Sequence, residues 1–165
     1  MEGIPLRAAR RTDIPMLLLL WQQMMKEHAA LDERLTPHPR AREHMLGNLQ
    51  RWLNDADRQI VVAEEGRRLI VGFAAAVISG APEWKTAARV GEITDCYVVV
   101  PRRRLGIGRR LVGRIQDQLL EKGVDRLRLL AAAANPGSQA FWTAIGWVPQ
   151  EIVLEKPATD VAPGD

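Results

Sequence analysis

The segment Val98-Val99-Val100-Pro101-Arg102-Arg103-Arg104-Leu105-Gly106-Ile107-Gly108-Arg109-Arg110-Leu111 constrains this chain more than any other stretch. A β-branched run ends at a proline, and a short loop then carries arginines and two glycines. Apolar residues follow at helical spacing, with Leu111, Ile115, Leu119 and Leu120 on one face and Gly123 just past the end. The pattern predicts a strand that runs into a helix over 106–122, and hence an α/β arrangement. The loop also has a chemistry. Unpaired N–H groups at a helix N-terminus, helped by the helix dipole, bind anions. Glycine lets an anion approach the backbone closely, and arginine adds charge-assisted hydrogen bonds. Together these describe a cradle for a diphosphate. Arg102, Arg103, Arg104, Arg109 and Arg110 fall within nine positions, a density that also suits a solvated face or a nucleic-acid patch. A phosphorylated cofactor accounts for the glycines as well as the arginines. The Walker pattern is absent, because no Gly-Lys-Ser/Thr follows, and the dinucleotide fingerprint lacks its third glycine, Leu111 standing there.

The remaining signals fill out the architecture. Residues 6–8 read as a first strand. Thr12 is the expected N-cap of a helix that has Pro15 in its first turn and runs to about 28. Residues 29–39 form a loop, and 40–54 a second helix with Met45, Leu49, Trp52 and Leu53 on its apolar side. Three strand signals, 59–63, 69–79 and 89–100, are separated by turn residues, which predicts an antiparallel meander. After the helix over 106–122 come a strand over 127–133, a helix starting at Pro136 and ending before Gly146, and a final strand over 151–155. The expected fold is α/β in the order β-α-α-β-β-β-α-β-α-β, one domain over 1–156 with a disordered tail over 157–165.

Bulk properties exclude several classes. The chain has 165 residues, of which 47% are hydrophobic and 26% charged, with a net charge of +3. That suits a soluble globular domain large enough to bury a core. No apolar run nears the roughly 18 residues of a membrane span. The first five residues lack a basic region followed by an apolar one, so a cytoplasmic location is expected. Cys96 is the only cysteine and reads as a small buried apolar residue. His28, His38 and His44 lack metal-type spacing, and no metal is expected. With no acidic run in the sequence, no pocket built for polycations such as spermidine or spermine is expected.

The loop Arg103-Arg104-Leu105-Gly106-Ile107-Gly108 resembles the Gln/Arg-x-x-Gly-x-Gly/Ala loop of the GNAT superfamily of N-acetyltransferases. Downstream, the segment from Asn135-Pro136-Gly137-Ser138 through Phe141-Trp142 to Gly146-Trp147 is similar to that family's Asn-x-x-Ala-x-x-Phe-Tyr-x-x-x-Gly-Phe. Leu6-Arg7 followed by Thr12-Asp13-Ile14-Pro15 is similar to its opening. The resemblance spans 4–156. It implies a mixed, largely antiparallel sheet flanked by helices, with a V-shaped splay between central strands. It also implies acetyl-CoA as co-substrate, an amine acceptor attacked directly on the thioester, and a possible homodimer. Neither nucleic acid nor membrane is an expected partner. In the resemblance, the amides of Arg103, Arg104, Leu105, Gly106, Ile107 and Gly108, with Arg109, hold the CoA pyrophosphate. The backbone of Tyr97, Val98 and Val99 pairs with the pantetheine arm, and the N–H of Val99 polarises the thioester carbonyl. Asn135 and Trp142 complete the cofactor side, Asn135 being equally well placed as a helix N-cap ahead of Pro136.

Two departures bear on catalysis. Trp142 stands where many members have a tyrosine acid, and its indole N–H is a donor but no useful acid. The strand end Leu129-Leu130-Ala131-Ala132 holds no carboxylate, so a base must come from elsewhere or from water. Asp95, just before the pantetheine-contacting triplet, is the leading candidate, and Glu92 the second. A mid-strand carboxylate among apolar residues needs a purpose or an ion pair. Regular alternation places Asp95, Tyr97 and Val99 on one face and Glu92, Thr94 and Cys96 on the other, unless a bulge changes the parity. Tyr97 is a candidate for a displaced acid, and Trp21, Trp84, His28 and His38 are candidates for the acceptor pocket. The alternative function is a CoA-binding sensor or partner module without turnover.

Overall fold

A computed structural model describes residues 3–66, 68–80 and 89–156. Within them, β1 (Leu6–Ala8), β2 (Arg58–Glu65), β3 (Leu69–Gly80), β4 (Arg89–Val98) and β5 (Arg126–Leu129) form one sheet in sequential order. Four helices flank it: α1 (Ile14–Leu31), α2 (Ala41–Trp52), α3 (Ile107–Glu121) and α4 (Pro136–Ala144). The first four strands are antiparallel, as the turn residues between them predict. β5 joins β4 in parallel, and only over Val90–Ile93. Beyond Ile93 the two strands part, and β4 continues to Val98 with one edge open.

The sheet is covered on both faces, which explains the nearly continuous apolar runs of β2 and β3. On one face α3 buries Ile107, Leu111, Val112, Ile115 and Leu119 against Val61, Ala63, Ala74, Ala76, Ile78 and Ile93, with Phe141 and Trp142 of α4 at the margin. On the other, Leu17, Leu18, Leu20 and Met24 of α1 and Leu49 of α2 pack on Ile60, Val62, Phe73, Ala75 and Tyr97. Gly72 has a reason to be glycine. A Cβ there would lie 2.8 Å from the Tyr97 carbonyl oxygen and 3.3 Å from Leu111 Cδ1, where α3 crosses the sheet.

Three expectations need correction. Thr12 is not the cap of α1. Arg11–Asp13 form a 3-10 turn, and α1 starts after Asp13, whose buried carboxylate accepts the Arg10 N–H at 2.7 Å. Arg7 holds the same carboxylate at 2.7 Å and also pairs with Glu64, so the Leu6-Arg7…Thr12-Asp13 opening is a tie between the first strand, the 3-10 turn and β2. The strand predicted over 127–133 ends at Leu129. The final strand over 151–155 is not formed, and Ile152, Val153 and Leu154 are exposed. β-branched residues give a segment extended preference but not a partner, and the four-residue β5 offers little edge to pair with. The predicted tail over 157–165 lies outside the described residues.

Candidate active site

The loop between β4 and α3 has the form expected of an anion cradle. Gly106 turns into the helix at φ +75°, a left-handed conformation natural to glycine, and Arg104 adopts φ +64° just before it. The first amide after the loop to find a main-chain acceptor is that of Arg110, which donates to the Gly106 carbonyl. The amides from Arg104 to Arg109 have no partner among the described residues. Six successive N–H groups are thus left open around the positive end of the helix dipole. Gly108 serves packing too, since a Cβ there would sit 3.4 Å from the Phe141 ring, which docks α4 onto the start of α3. Four of the arginines divide their work. Arg102 pairs with Glu65 at 2.9 Å, and Arg109 donates to the Ala144 carbonyl at 3.1 Å. Arg104 and Arg110 form no ion pair among the described residues.

Arg103 does something different. Its Nε donates to the Val98 carbonyl at 2.8 Å and its Nη2 to the Glu27 carboxylate at 2.7 Å, while its guanidinium lies 5.2 Å from the Tyr97 ring. The Tyr97 hydroxyl donates to the same Glu27 at 2.7 Å. Burial, then the hydrogen bond to Glu27 and its charge, push the Tyr97 phenol up to about 12. The Tyr97 ring faces α1, not the splay.

Pairing along the splayed strand removes the Val99 amide as a free donor. The Val99 N–H donates to the Val71 carbonyl at 2.9 Å and is therefore committed to β3. Backbone groups of a strand alternate in direction, so those of Val98 point away from β3 into the gap that β5 leaves. Val98 supplies the open amide, and its carbonyl already holds a hydrogen bond from the cradle side.

The register of β4 also decides where the carboxylates stand. Ile93 lies opposite Ala76 and Asp95 opposite Ala75, so Thr94 is an extra residue, a bulge. Glu92 lies opposite Val77 and Asp95 opposite Ala75, which places both on the face covered by α1 and α2. Regular alternation would have separated them. Their environments differ. Glu92 accepts from Arg128 Nε at 2.6 Å, a structural ion pair with the parallel strand. Asp95 has no cationic partner within hydrogen-bonding distance among the described residues. It accepts only the Thr94 hydroxyl, at 2.7 Å. Burial raises its carboxyl above the usual range, opposed by the Thr94 hydrogen bond and by the more distant charges of Arg58 and His28. The neighbouring Cys96 thiol is pushed up to about 12 by burial and by Asp95, so it stays protonated and is no nucleophile.

Asp95 opens onto a hollow between α1, α2 and the sheet, lined by Leu17, Trp21, Met45, Leu49, Trp52, Ile60, Phe73 and Ala75. Trp21 thus shares a hollow with Asp95, and His28 is close enough to act on Asp95 electrostatically. His38 is elsewhere, stacked on His44 at 6.3 Å. Trp84 lies outside the described residues. Asn135 is the N-cap of α4, its Oδ1 accepting the Ser138 N–H at 2.9 Å. Trp142 donates its indole N–H to Ser138 Oγ at 3.1 Å and packs edge-on between Phe141 and Trp147. Its one donor is occupied inside α4.

The model of the acetyltransferase (GNAT) family matches residues 21–147. The chain belongs to the GNAT acetyltransferase family. No curated protein sequence matches it. Solved structures resemble this GNAT protein over nearly their whole length. The BH1408 protein from Bacillus halodurans, as a tetramutant, aligns with a TM-score of 0.81 at 20% identity, covering 93% of this chain and 99% of its own. An aminoglycoside 6'-N-acetyltransferase, AAC(6')-IG from Acinetobacter haemolyticus, aligns with a TM-score of 0.74 at 16% identity, covering 92% and 96%. AAC(6')-Iy, solved with a bisubstrate analogue of CoA and acetylneamine, aligns with a TM-score of 0.73 at 19% identity, covering 92% and 95%. These identities carry the fold. Two charged residues that act on Tyr97 and Asp95 had no local signal in the sequence. Glu27 sits among Gln22, Gln23, Lys26 and His28 on the polar stretch of α1, and Arg58 opens β2; each acts across more than thirty positions of chain.

Proposed function

We propose that this GNAT protein moves the acetyl group of acetyl-CoA to a primary amine by direct attack, with Asp95 as the general base. The observation that carries the reading is a partly buried carboxylate without a cationic hydrogen-bonding partner, three positions from the open amide of a splayed strand that leads into the cradle. Acetyl-CoA supplies the activated acyl group and, once it has transferred, a thiolate. The amides from Arg104 to Arg109, with the side chains of Arg104 and Arg110, hold its phosphates. The backbone of Val98 takes the arm once Arg103 releases the Val98 carbonyl, and the Val98 N–H faces the developing negative charge on the carbonyl oxygen. Tyr97 and Val99 shape the strand from its α1 side. Asp95 takes the proton that the amine must lose, and Glu92, held by Arg128, keeps β4 and β5 aligned below it. Asn135 and Trp142 hold α4 against the cradle.

A thiol near its usual pKa of about 8.5 leaves as thiolate at modest cost, whereas an alkylammonium near about 10.4 cannot attack until deprotonated. The base therefore matters more than an acid, which fits the occupied N–H of Trp142 and the high pKa of Tyr97. The neighbouring aminoglycoside acetyltransferases are too distant in sequence to pass on their acceptor. The test is thiol release from acetyl-CoA across a panel of amines. Amine-dependent release supports the reading. Acetyl-CoA binding with no release for any amine would make the chain a CoA-binding module instead.

A further inference from the structure

The backbone groups of Val98 face the gap that β5 leaves, and the carbonyl among them already has a donor. That donor is Arg103 Nε, at 2.8 Å. Because this carbonyl points away from β3, the guanidinium that reaches it stands on the open side of the strand. It is held there by a residue 76 positions earlier in the chain: Nη2 donates to both carboxylate oxygens of Glu27, at 2.9 and 2.7 Å. The Tyr97 ring lies 5.2 Å from the same guanidinium, and the Tyr97 hydroxyl fixes Glu27 at 2.7 Å. One side chain thus ties α1 to the open carbonyl of β4. Neither end of the tie is deep, the two side chains being 39% and 41% exposed, so it can open without unpacking the core. The neighbouring arginines are used differently. Arg102 pairs with Glu65 and Arg109 with the Ala144 carbonyl.

A strand edge binds an extended ligand through its free N–H and C=O groups, as it would bind another strand. The pantetheine arm carries amides that can pair in this way, and in the reading above it lies along this edge. It and the Arg103 side chain then compete for one acceptor. When only a fraction of the chains is competent to bind, the apparent affinity falls by that fraction.

We propose that Glu27 is a positioning residue for acetyl-CoA: it holds the Arg103 guanidinium across the open edge of β4, and the arm binds by taking the Val98 carbonyl from it. This rests on the acetyl-transfer reading above. The side chain of Arg103 therefore opposes cofactor binding, while that of Arg104, next to it in the loop, favours it.

Isothermal titration calorimetry on the full chain compares acetyl-CoA with ADP, which carries the diphosphate without the arm. Arg103→Met keeps an unbranched stem beside Tyr97 and removes every donor. It should bind acetyl-CoA about fivefold or more tightly than the parent, the scale of a charge-assisted hydrogen bond that the arm no longer has to displace, and ADP no more tightly. Glu27→Gln leaves an acceptor for the Tyr97 hydroxyl and should tighten acetyl-CoA by about two- to fivefold, the worth of an exposed ion pair. In the Arg103→Met background, Glu27→Gln should change the affinity by less than about twofold, because Glu27 acts through Arg103. A negative charge acting through space would instead affect ADP equally and would keep its effect in the double variant. The proposal is overturned if either single variant binds acetyl-CoA no more tightly than the parent, if ADP gains as much as acetyl-CoA, or if Glu27→Gln keeps its effect beside Arg103→Met. If the parent binds no acetyl-CoA, the acetyl-transfer reading itself falls, and the proposal with it.

Discussion

Asp95→Asn should lower activity and raise stability at the same time, a pairing of signs that a structural ion pair would not give. The asparagine keeps the shape and an acceptor oxygen for the Thr94 hydroxyl, which lies 2.7 Å away in the parent, and no cation loses a hydrogen-bonding partner. On the activity side the variant loses a general base, worth on the order of 10² to 10⁴ in rate. On the stability side, burial has raised the carboxyl above its unfolded value. Below the unfolded pKa both states are protonated and the carboxyl makes no difference to folding. As the pH rises from the unfolded toward the folded pKa, the unfolded state ionises first and the folded state loses stability relative to a neutral side chain. Asparagine escapes that loss. The Tm of the variant should match that of the parent near pH 3.5 and exceed it at pH 7. Each pK unit of displacement is worth about 1.4 kcal/mol, and about 1 kcal/mol moves the Tm of a domain this size by about 2–4 °C. Thermal melts of both proteins from pH 3.5 to 8, with kcat/KM at pH 7.5, make the comparison. A variant less stable than the parent at pH 7, or one keeping kcat/KM within about threefold against the expected base contribution, would refute the reasoning.

Trp142→Phe should cost less in kcat/KM than Asp95→Asn, and Trp142→Tyr should leave the rate unchanged or modestly higher; steady-state kinetics on folded variants decide it. The pH profile of kcat/KM should climb to a plateau with no falling limb below pH 10, because the Tyr97 phenol and the Cys96 thiol are both pushed up to about 12; a descending arm near pH 9 would mean that another acid takes part. Gly72→Ala should lower stability by about 1–3 kcal/mol in denaturant melts, since its Cβ would meet the backbone oxygen of Tyr97 at 2.8 Å and oxygen and helix cannot both yield cheaply.

Much of this site could be read from the chain alone because its main parts are local. The cradle lies within one strand-loop-helix, where glycines, arginines and the helical spacing of Leu111, Ile115 and Leu119 are successive symbols. Asn135 before Pro136 announces its own cap. Other features depend on partners that the sequence does not order. Asp95 and Glu92 were both visible, yet which of them is ion-paired depends on Arg128 arriving from β5. Their sharing of a face depends on the bulge at Thr94, which alternation alone cannot reveal. The amide left open on the splayed strand is that of Val98 and not Val99, because the direction of an amide follows from pairing with Val71. The last strand failed for the same reason in reverse: Ile152 to Leu154 prefer extended backbone, but β5 ends too soon to pair with them.

Binding of acetyl-CoA to the cradle is the claim on which the account depends, and isothermal titration calorimetry tests it most directly. The parent should bind one acetyl-CoA per chain. Arg104→Ala removes a guanidinium that has no ion pair among the described residues, so it should leave the Tm nearly unchanged and weaken binding about tenfold or more, the worth of one charge-assisted hydrogen bond. Absence of binding at millimolar acetyl-CoA, or an unchanged affinity in Arg104→Ala, would contradict the account.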